Sequence, residues 1–266
     1  MPSKIIEENF RLNRLPHIWC QGCGHGILMR AVAVAIEELN LNKDKICVVS
    51  GIGCSSRASG YFDYNTVHTT HGRALAFATG IKIANPELNV IVITGDGDAA
   101  AIGGNHLIHS CRRNIDITTI VFNNNIYGMT GGQYSPTTPT NDKATTAPYG
   151  NIDKPFDICE LSDAAGATFV ARASVYHAKQ MIEYTKKAIN HKGFSVVEGI
   201  STCPTYYGRK NKMGSAVDLI KEIKEKTIVS NEIKKGKEEG KVSIGIFKNI
   251  KLPEYTEEYE KLINRF

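Results

Sequence analysis

Nothing in the chain approaches the ~18 consecutive apolar residues that a bilayer-crossing helix needs. The stretch from Met1 to Arg14 is polar and charged and lacks the apolar centre of a secretion signal. Together these absences predict a soluble, cytoplasmic protein with no membrane partner. Concentrated positive charge is also missing. The 32 Lys and Arg against 27 Asp and Glu leave a net charge of +5, spread along the chain rather than gathered in a basic stripe, so no nucleic-acid partner is expected. An even cysteine set is lacking too. Seven cysteines (Cys20, Cys23, Cys47, Cys54, Cys111, Cys159 and Cys203) without a secretion signal argue against a disulfide framework and towards metal ligation by the clustered ones. There is no internal repeat and no low-complexity tract.

What is present is an alternation of short apolar runs with helix-like stretches. Leu28, Val32, Ala35 and Leu39 share one face of a helix predicted over residues 24–39. Lys45 to Ser50, Asn89 to Thr94 and Ile117 to Phe122 read as buried strands, and 168–171 and 194–198 as two more. Helices are expected over 71–84 and 105–113, and from an N-cap at Ser174 to about Ile189. The Gly-, Pro-, Ser- and Thr-rich stretch from Tyr127 to Asn151 is long for a structureless connection, which marks it as functional, a lid or an interface contact. Lys and Glu dominate from Lys221 to Lys241, as in a solvated helix face or a flexible arm. The fold class is α/β: a mainly parallel sheet with helices on both faces. The chain reads as a single domain over 1–266 with a charged C-terminal extension from about 210. In such sheets ligands bind beyond the carboxyl ends of the strands. The turns at Gly51, Gly95 and Asn123 all follow strands, so they can share one crevice.

Gly95-Asp96-Gly97-Asp98 matches a dinucleotide fingerprint loosely. Carboxylates beside a pyrophosphate would repel it, however, unless a divalent cation lies between them. Mg²⁺ takes hard oxygen ligands and shares them with phosphate and water. Asn124, at the end of the next strand, offers an amide oxygen, and the Ile126 carbonyl offers a third. This pairing of Gly-Asp-Gly with Asn-Asn resembles the signature of thiamine diphosphate enzymes, which by position makes Asp96, Asn124 and Ile126 the magnesium ligands.

The cysteines make a second constellation. Cys20 and Cys23 lie two residues apart, and Cys54 and Cys203 stand singly in glycine- and proline-containing turns. A pair plus two single cysteines fits a four-cysteine iron–sulfur cluster or a structural zinc. A thioredoxin-like pair usually opens a helix after a strand, and none precedes Cys20. Cys54 follows the first strand at the carboxyl edge of the sheet. Zinc there would add only stiffness, whereas a cluster would accept electrons. Cys47, Cys111 and Cys159 fall within or beside predicted elements and read as packing residues.

The ordered motifs Trp19-Cys20-Gln21-Gly22-Cys23-Gly24-His25-Gly26, Gly51-Ile52-Gly53-Cys54-Ser55-Ser56-Arg57, His68-Thr69-Thr70-His71-Gly72-Arg73-Ala74, Gly95 to Asp98, Phe122 to Gln133 and Cys203-Pro204-Thr205 resemble the β subunit of 2-oxoacid:ferredoxin oxidoreductases. Thr69 to Arg73 and Thr130 to Gln133 resemble the 2-oxoglutarate synthase branch. The resemblance implies a thiamine-diphosphate-binding fold and a [4Fe-4S] cluster on Cys20, Cys23, Cys54 and Cys203. It places Gly53, Cys54, Ser55, His71, Gly97, Asp98, Gly128, Met129 and Thr130 around thiamine diphosphate. The implied reaction is oxidative decarboxylation of 2-oxoglutarate with coenzyme A to succinyl-CoA and CO2, its electrons passing through the cluster to ferredoxin. It also implies partners: an α subunit that supplies the glutamate for acid–base work on the cofactor, and small γ and δ subunits. Arg57, three residues beyond Cys54, offers a guanidinium that can clamp a substrate carboxylate. His25 and His71 are candidates for proton transfer, and Tyr127 for the cofactor wall. The rival readings are the same chemistry on pyruvate or another 2-oxoacid, and a non-redox thiamine enzyme with a structural zinc.

Overall fold

The structure, a computed structural model, describes residues 4 to 265. The strands are β1 (Ile46–Ser50), β2 (Asn65–His68), β3 (Asn89–Gly95), β4 (Thr118–Asn123), β5 (Ile126–Tyr127), β6 (Gln133–Tyr134), β7 (Phe169–Ser174), β8 (Ser195–Ile200), β9 (Thr227–Val229) and β10 (Val242–Asn249). The helices are α1 (Lys4–Asn9), α2 (His25–Glu38), α3 (Ala58–Tyr61), α4 (Ala74–Ala84), α5 (Gly104–Arg113), α6 (Ile158–Ala164), α7 (Ala178–Ile189), α8 (Ala216–Glu225), α9 (Ile233–Glu238) and α10 (Tyr255–Ile263). Eight strands form one sheet in the order β2-β1-β3-β4-β8-β7-β10-β9. The pairs are parallel except β10 with β7. β5 and β6 make a separate small hairpin.

Successive side chains of a strand face opposite ways, and each face has its own core. Ile91 and Ile93 of β3 pack with Leu28, Val32 and Ile36 of α2. Val90 and Val92, between and before them, pack with Leu75 and Ala78 of α4 and Leu107 of α5. Fully burying each such aliphatic side chain contributes roughly 1.5–3 kcal/mol. Cys47, Cys111 and Cys159 are buried in the second core, as packing residues should be. No helix among the described residues is long and apolar enough to cross a membrane.

Two expectations need correction. The helix expected from His71 begins at Ala74, because the His71–Gly72 segment turns to bind Asp98. Ser174 does not cap α7. It ends β7, its hydroxyl pairs with His177 Nδ1 at 2.8 Å, and the helix starts at Ala178. The charged 221–241 stretch is largely exposed, with α8 and α9 as solvated helices in line with the first of its two readings, while β9 pairs with β10 and β10 with β7 inside the main sheet. Ser243 and Ile244 are buried there. The 127–151 stretch is irregular as expected but firmly tied. Thr138 donates to the Asn125 carbonyl at 2.6 Å, and Thr145 N–H to the Gly132 carbonyl at 2.7 Å.

Candidate active site

β1, β3 and β4 end side by side, and the turns that follow them line one cavity. All nine residues assigned to the cofactor by resemblance (Gly53, Cys54, Ser55, His71, Gly97, Asp98, Gly128, Met129 and Thr130) lie on its wall. So do Asp96, Asn124, Ile126, His25 and Tyr127. Arg57 does not. It sits one short turn beyond Cys54, with its Nε buried and unpartnered.

The cation site can be judged from its oxygens. Asp96 is 3% exposed. Its Oδ2 accepts from the Ser135 hydroxyl at 2.5 Å and the Thr137 hydroxyl at 2.7 Å. Burial pushes its carboxyl above the ordinary carboxylate range, and the two hydroxyls pull it back. One amide atom of Asn124 lies 3.3 Å from Asp96 Oδ1 and 2.8 Å from the Ile126 carbonyl oxygen. With nitrogen there, the amide donates to both. With oxygen there, three oxygens converge with no proton between them, and only a cation relieves that. Octahedral Mg²⁺, with bonds of about 2.0–2.1 Å, sets neighbouring oxygens about 2.9 Å apart. The spacing of this donor set therefore fits magnesium.

Asp98 has a different task. Its carboxylate accepts from Gly72 N–H at 2.6 Å and the Thr94 hydroxyl at 2.8 Å, meets Ile52 N–H at 3.4 Å, and pairs with His71 Nδ1. It ties three strand-end turns together. Gly51 makes room for it, since a Cβ there would stand 2.1 Å from Asp98 Oδ2. Gly51→Ala should therefore cost about 1–3 kcal/mol of stability through overpacking. Urea unfolding measures it, and an unchanged midpoint would mean that the turn does not press on Asp98. Gly97 is constrained in the same way, its missing Cβ leaving space for the Tyr127 ring, 2.3 Å from where it would lie. His25 is 1% exposed, and its Nδ1 contacts the Ser201 hydroxyl at 2.9 Å. Burial pulls it down to about 3, so it meets the cavity as a neutral imidazole.

The four cysteines lie near one another, with Cys54 and Cys203 meeting at Gly128 in the segment joining β5 to β6. Burial pushes the Cys23 thiol up to about 12, opposed by the His25 N–H and reinforced by the nearby Cys203, Cys54 and Cys20. Burial pushes Cys54 up to about 11, with Cys203 and Cys20 adding to the rise. A Cβ on Gly128 would lie 3.2 Å from Cys54 Sγ and 3.8 Å from Cys203 Sγ. Trp19 Nε1 donates to the Cys54 carbonyl at 2.7 Å, holding the Cys20 segment to this turn. Four cysteines gathered at one point are a donor set for a cluster or for zinc. Elsewhere, Asp157, Cys159 and Glu198 lie within 4.8 Å of one another, and Arg172 already pairs with both carboxylates.

Sequence reasoning missed Ser135 and Thr137, which hold Asp96 from a loop some forty residues later. The only signal was the density of hydroxyls in that loop.

The fold and the carboxylate–amide site define a thiamine-diphosphate-binding enzyme domain. Residues 51–199 match the family described as thiamine pyrophosphate enzyme, C-terminal TPP binding domain. The chain is 56% identical over 258 residues to the 2-oxoglutarate synthase subunit KorB of Methanocaldococcus jannaschii, covering 96% of each. It is 46% identical over 190 residues to the 2-oxoacid:ferredoxin oxidoreductase subunit beta of Saccharolobus solfataricus, covering 71% of this chain and 62% of that one. The 2-oxoglutarate:ferredoxin oxidoreductase from Magnetococcus marinus, solved with 2-oxoglutarate, coenzyme A and succinyl-CoA bound, superposes with a TM-score of 0.89 at 33% identity, covering 100% of this chain and 91% of that one. The chain belongs to the β subunits of the 2-oxoacid:ferredoxin oxidoreductases, on their 2-oxoglutarate synthase branch.

Proposed function

We propose that this chain is the cofactor-binding half of a 2-oxoglutarate:ferredoxin oxidoreductase that converts 2-oxoglutarate and coenzyme A to succinyl-CoA and CO2 and passes electrons to ferredoxin. The observation that carries the reading is one cavity walled both by the Asp96, Asn124 and Ile126 oxygens and by Cys54. Asp96, Asn124 and the Ile126 carbonyl hold Mg²⁺ against the diphosphate, and Gly53, Cys54, Ser55, His71, Gly97, Asp98, Gly128, Met129 and Thr130 surround the cofactor. Cys20, Cys23, Cys54 and Cys203 hold a [4Fe-4S] cluster. Bound thiamine diphosphate supplies the electron sink for decarboxylation, and the cluster supplies a one-electron acceptor beside it.

The chain's own residues orient and enclose. Asp98 fixes the turns that face the cofactor. His25 presents a neutral ring against Trp19 and Phe122, suited to excluding water rather than carrying charge. No Lys or Arg lines the cavity among the described residues. The substrate's second carboxylate therefore needs Arg57, with its unpartnered Nε, or a cation from the partner subunit. No glutamate lines it either, which supports an α subunit that completes the site; small γ and δ subunits accompany the pair. Residues 1–266 act as one domain, the extension from about 210 included, because that extension joins the main sheet. Seven free cysteines suit a reducing, cytoplasmic setting.

An anaerobic assay of the co-expressed complex with 2-oxoglutarate, pyruvate and a branched 2-oxoacid, read as ferredoxin reduction, tests the reading. A site built for a second carboxylate should favour 2-oxoglutarate in kcat/KM by about 100-fold or more. Equal or greater activity on pyruvate would overturn the substrate assignment.

A further inference from the structure

We propose that Glu198, Asn123 and Thr137 are positioning residues. They form a buried relay that aims Asp96, Asn124 and Ile126 at the cation from behind. The inference rests on the reading of those three residues as magnesium ligands.

The relay begins in the middle of the sheet. Glu198 of β8 lies in register with Val121 of β4 and Arg172 of β7. Glu198 and Arg172 are each 3% exposed. Arg172 Nε donates to Glu198 Oε2 at 2.6 Å, and Asn123 Nδ2 donates to Glu198 Oε1 at 2.7 Å. The far end is closed. The Arg172 guanidinium also pairs with Asp157, donates to the Ser243 carbonyl at 3.3 Å, and lies over the Phe247 ring. A buried ion pair of this kind is a poor device for stability, since well-packed apolar residues in its place are often neutral or better. What it does supply is direction.

A carboxylate accepts and cannot donate. Glu198 therefore dictates which end of the Asn123 amide faces it: the NH2 group must turn inward, and Oδ1 must turn towards the site. That oxygen then does two things. It accepts from Asn125 N–H at 3.0 Å, closing the turn that carries Asn124 and leads into Ile126. Asn125 sits at φ +61°, in the left-handed region, where asparagine is tolerated better than most residues. The same oxygen lies 3.0 Å from the Thr137 hydroxyl, which also meets Asp96 Oδ2 at 2.7 Å and the Ser135 hydroxyl at 3.1 Å. Thr137 has one proton, and the carboxylate is the stronger acceptor. With Ser135 also donating to Oδ2, that oxygen is filled, and Oδ1 is the one left towards Asn124. One amide, oriented by one buried carboxylate, thus closes the turn that carries the Asn124 arm, and Thr137 beside it fills Asp96 Oδ2 in the other arm. Mg²⁺ demands near-ideal octahedral geometry, so this pre-orientation should appear in metal affinity.

The test uses the complex with its partner subunit, stripped of metal by chelation. Mn²⁺ binding is followed by electron paramagnetic resonance in the presence of thiamine diphosphate, alongside urea unfolding of the metal-free form. Thr137→Val keeps the shape and removes the hydroxyl. Glu198→Gln keeps the shape and removes the constraint on Asn123. Both should weaken Mn²⁺ binding by about 10–100-fold, and Thr137→Ser should restore it. If Glu198→Gln fails to fold, the loop variant Thr137→Val carries the test alone. Wild-type Mn²⁺ affinity in Thr137→Val, or the same loss in Thr137→Ser, would overturn the relay. If Asp96→Ala binds Mn²⁺ as tightly as wild type, the metal-site reading itself fails. If Asp96→Ala loses Mn²⁺ while Thr137→Val does not, only the relay fails.

Discussion

Replacing Asp96 by alanine is expected to weaken magnesium-dependent binding of thiamine diphosphate by about 1000-fold or more, since even outer partners of a metal are worth about 10–100-fold. Among the described residues, Asp96 is the carboxylate whose oxygen approaches the Asn124 amide and, through it, the Ile126 carbonyl. Without it the triad keeps two neutral oxygens and no charge to set against the cation. The substitution also takes the charged acceptor from the buried hydroxyls of Ser135 and Thr137, leaving them the neutral oxygens of Asn123 and Thr138. A hydrogen bond to a charged group is worth about 1.5–3 kcal/mol, so Asp96→Ala should lose stability as well as affinity. Asp96→Asn separates the two effects, because its amide oxygen can still accept from the hydroxyls. It should fold close to normally and still bind the cofactor poorly. Titration of the complex with thiamine diphosphate, with and without Mg²⁺, measures this. Magnesium-dependent binding retained in both variants would remove Asp96 from the site.

Cys54→Ala is expected to strip the subunit of iron and sulfide, from about four irons per chain to near none, with loss of the brown absorbance. Cys54 is the cysteine that belongs to both constellations. Its sulfur lies beside Gly128, its carbonyl holds Trp19, and it lines the cofactor cavity. Cys47→Ala, deep in the opposite core, is the control and should keep its iron. Metal analysis of anaerobically prepared protein decides the matter. One zinc per chain and no iron would make the site structural and end the electron-transfer reading.

The central strands were legible because parallel strands buried on both faces are written as unbroken apolar runs, and Asn89–Gly95 and Thr118–Asn123 are of that kind. The site was legible where the residues proposed as its ligands fall within two short motifs at strand ends. What escaped was set by tertiary contact. Helix α4 starts late because Asp98 claims His71 and Gly72. β10 is a strand interrupted by Gly245 and flanked by lysines, and it reads as a strand only once β7 is beside it. Glu198, Asn123 and Thr137 come from two strands and a loop, with no shared spacing to betray them.

The antiparallel seat of β10 also bears on how the subunit can be handled. The chain could not be trimmed near residue 210 without leaving β7 with a bare row of backbone donors and acceptors, an edge that invites pairing with any passing strand. The same cut would remove the Ser243 carbonyl and the Phe247 ring from Arg172. The segment that looks most dispensable is therefore the cover that keeps the sheet from adhering to its neighbours.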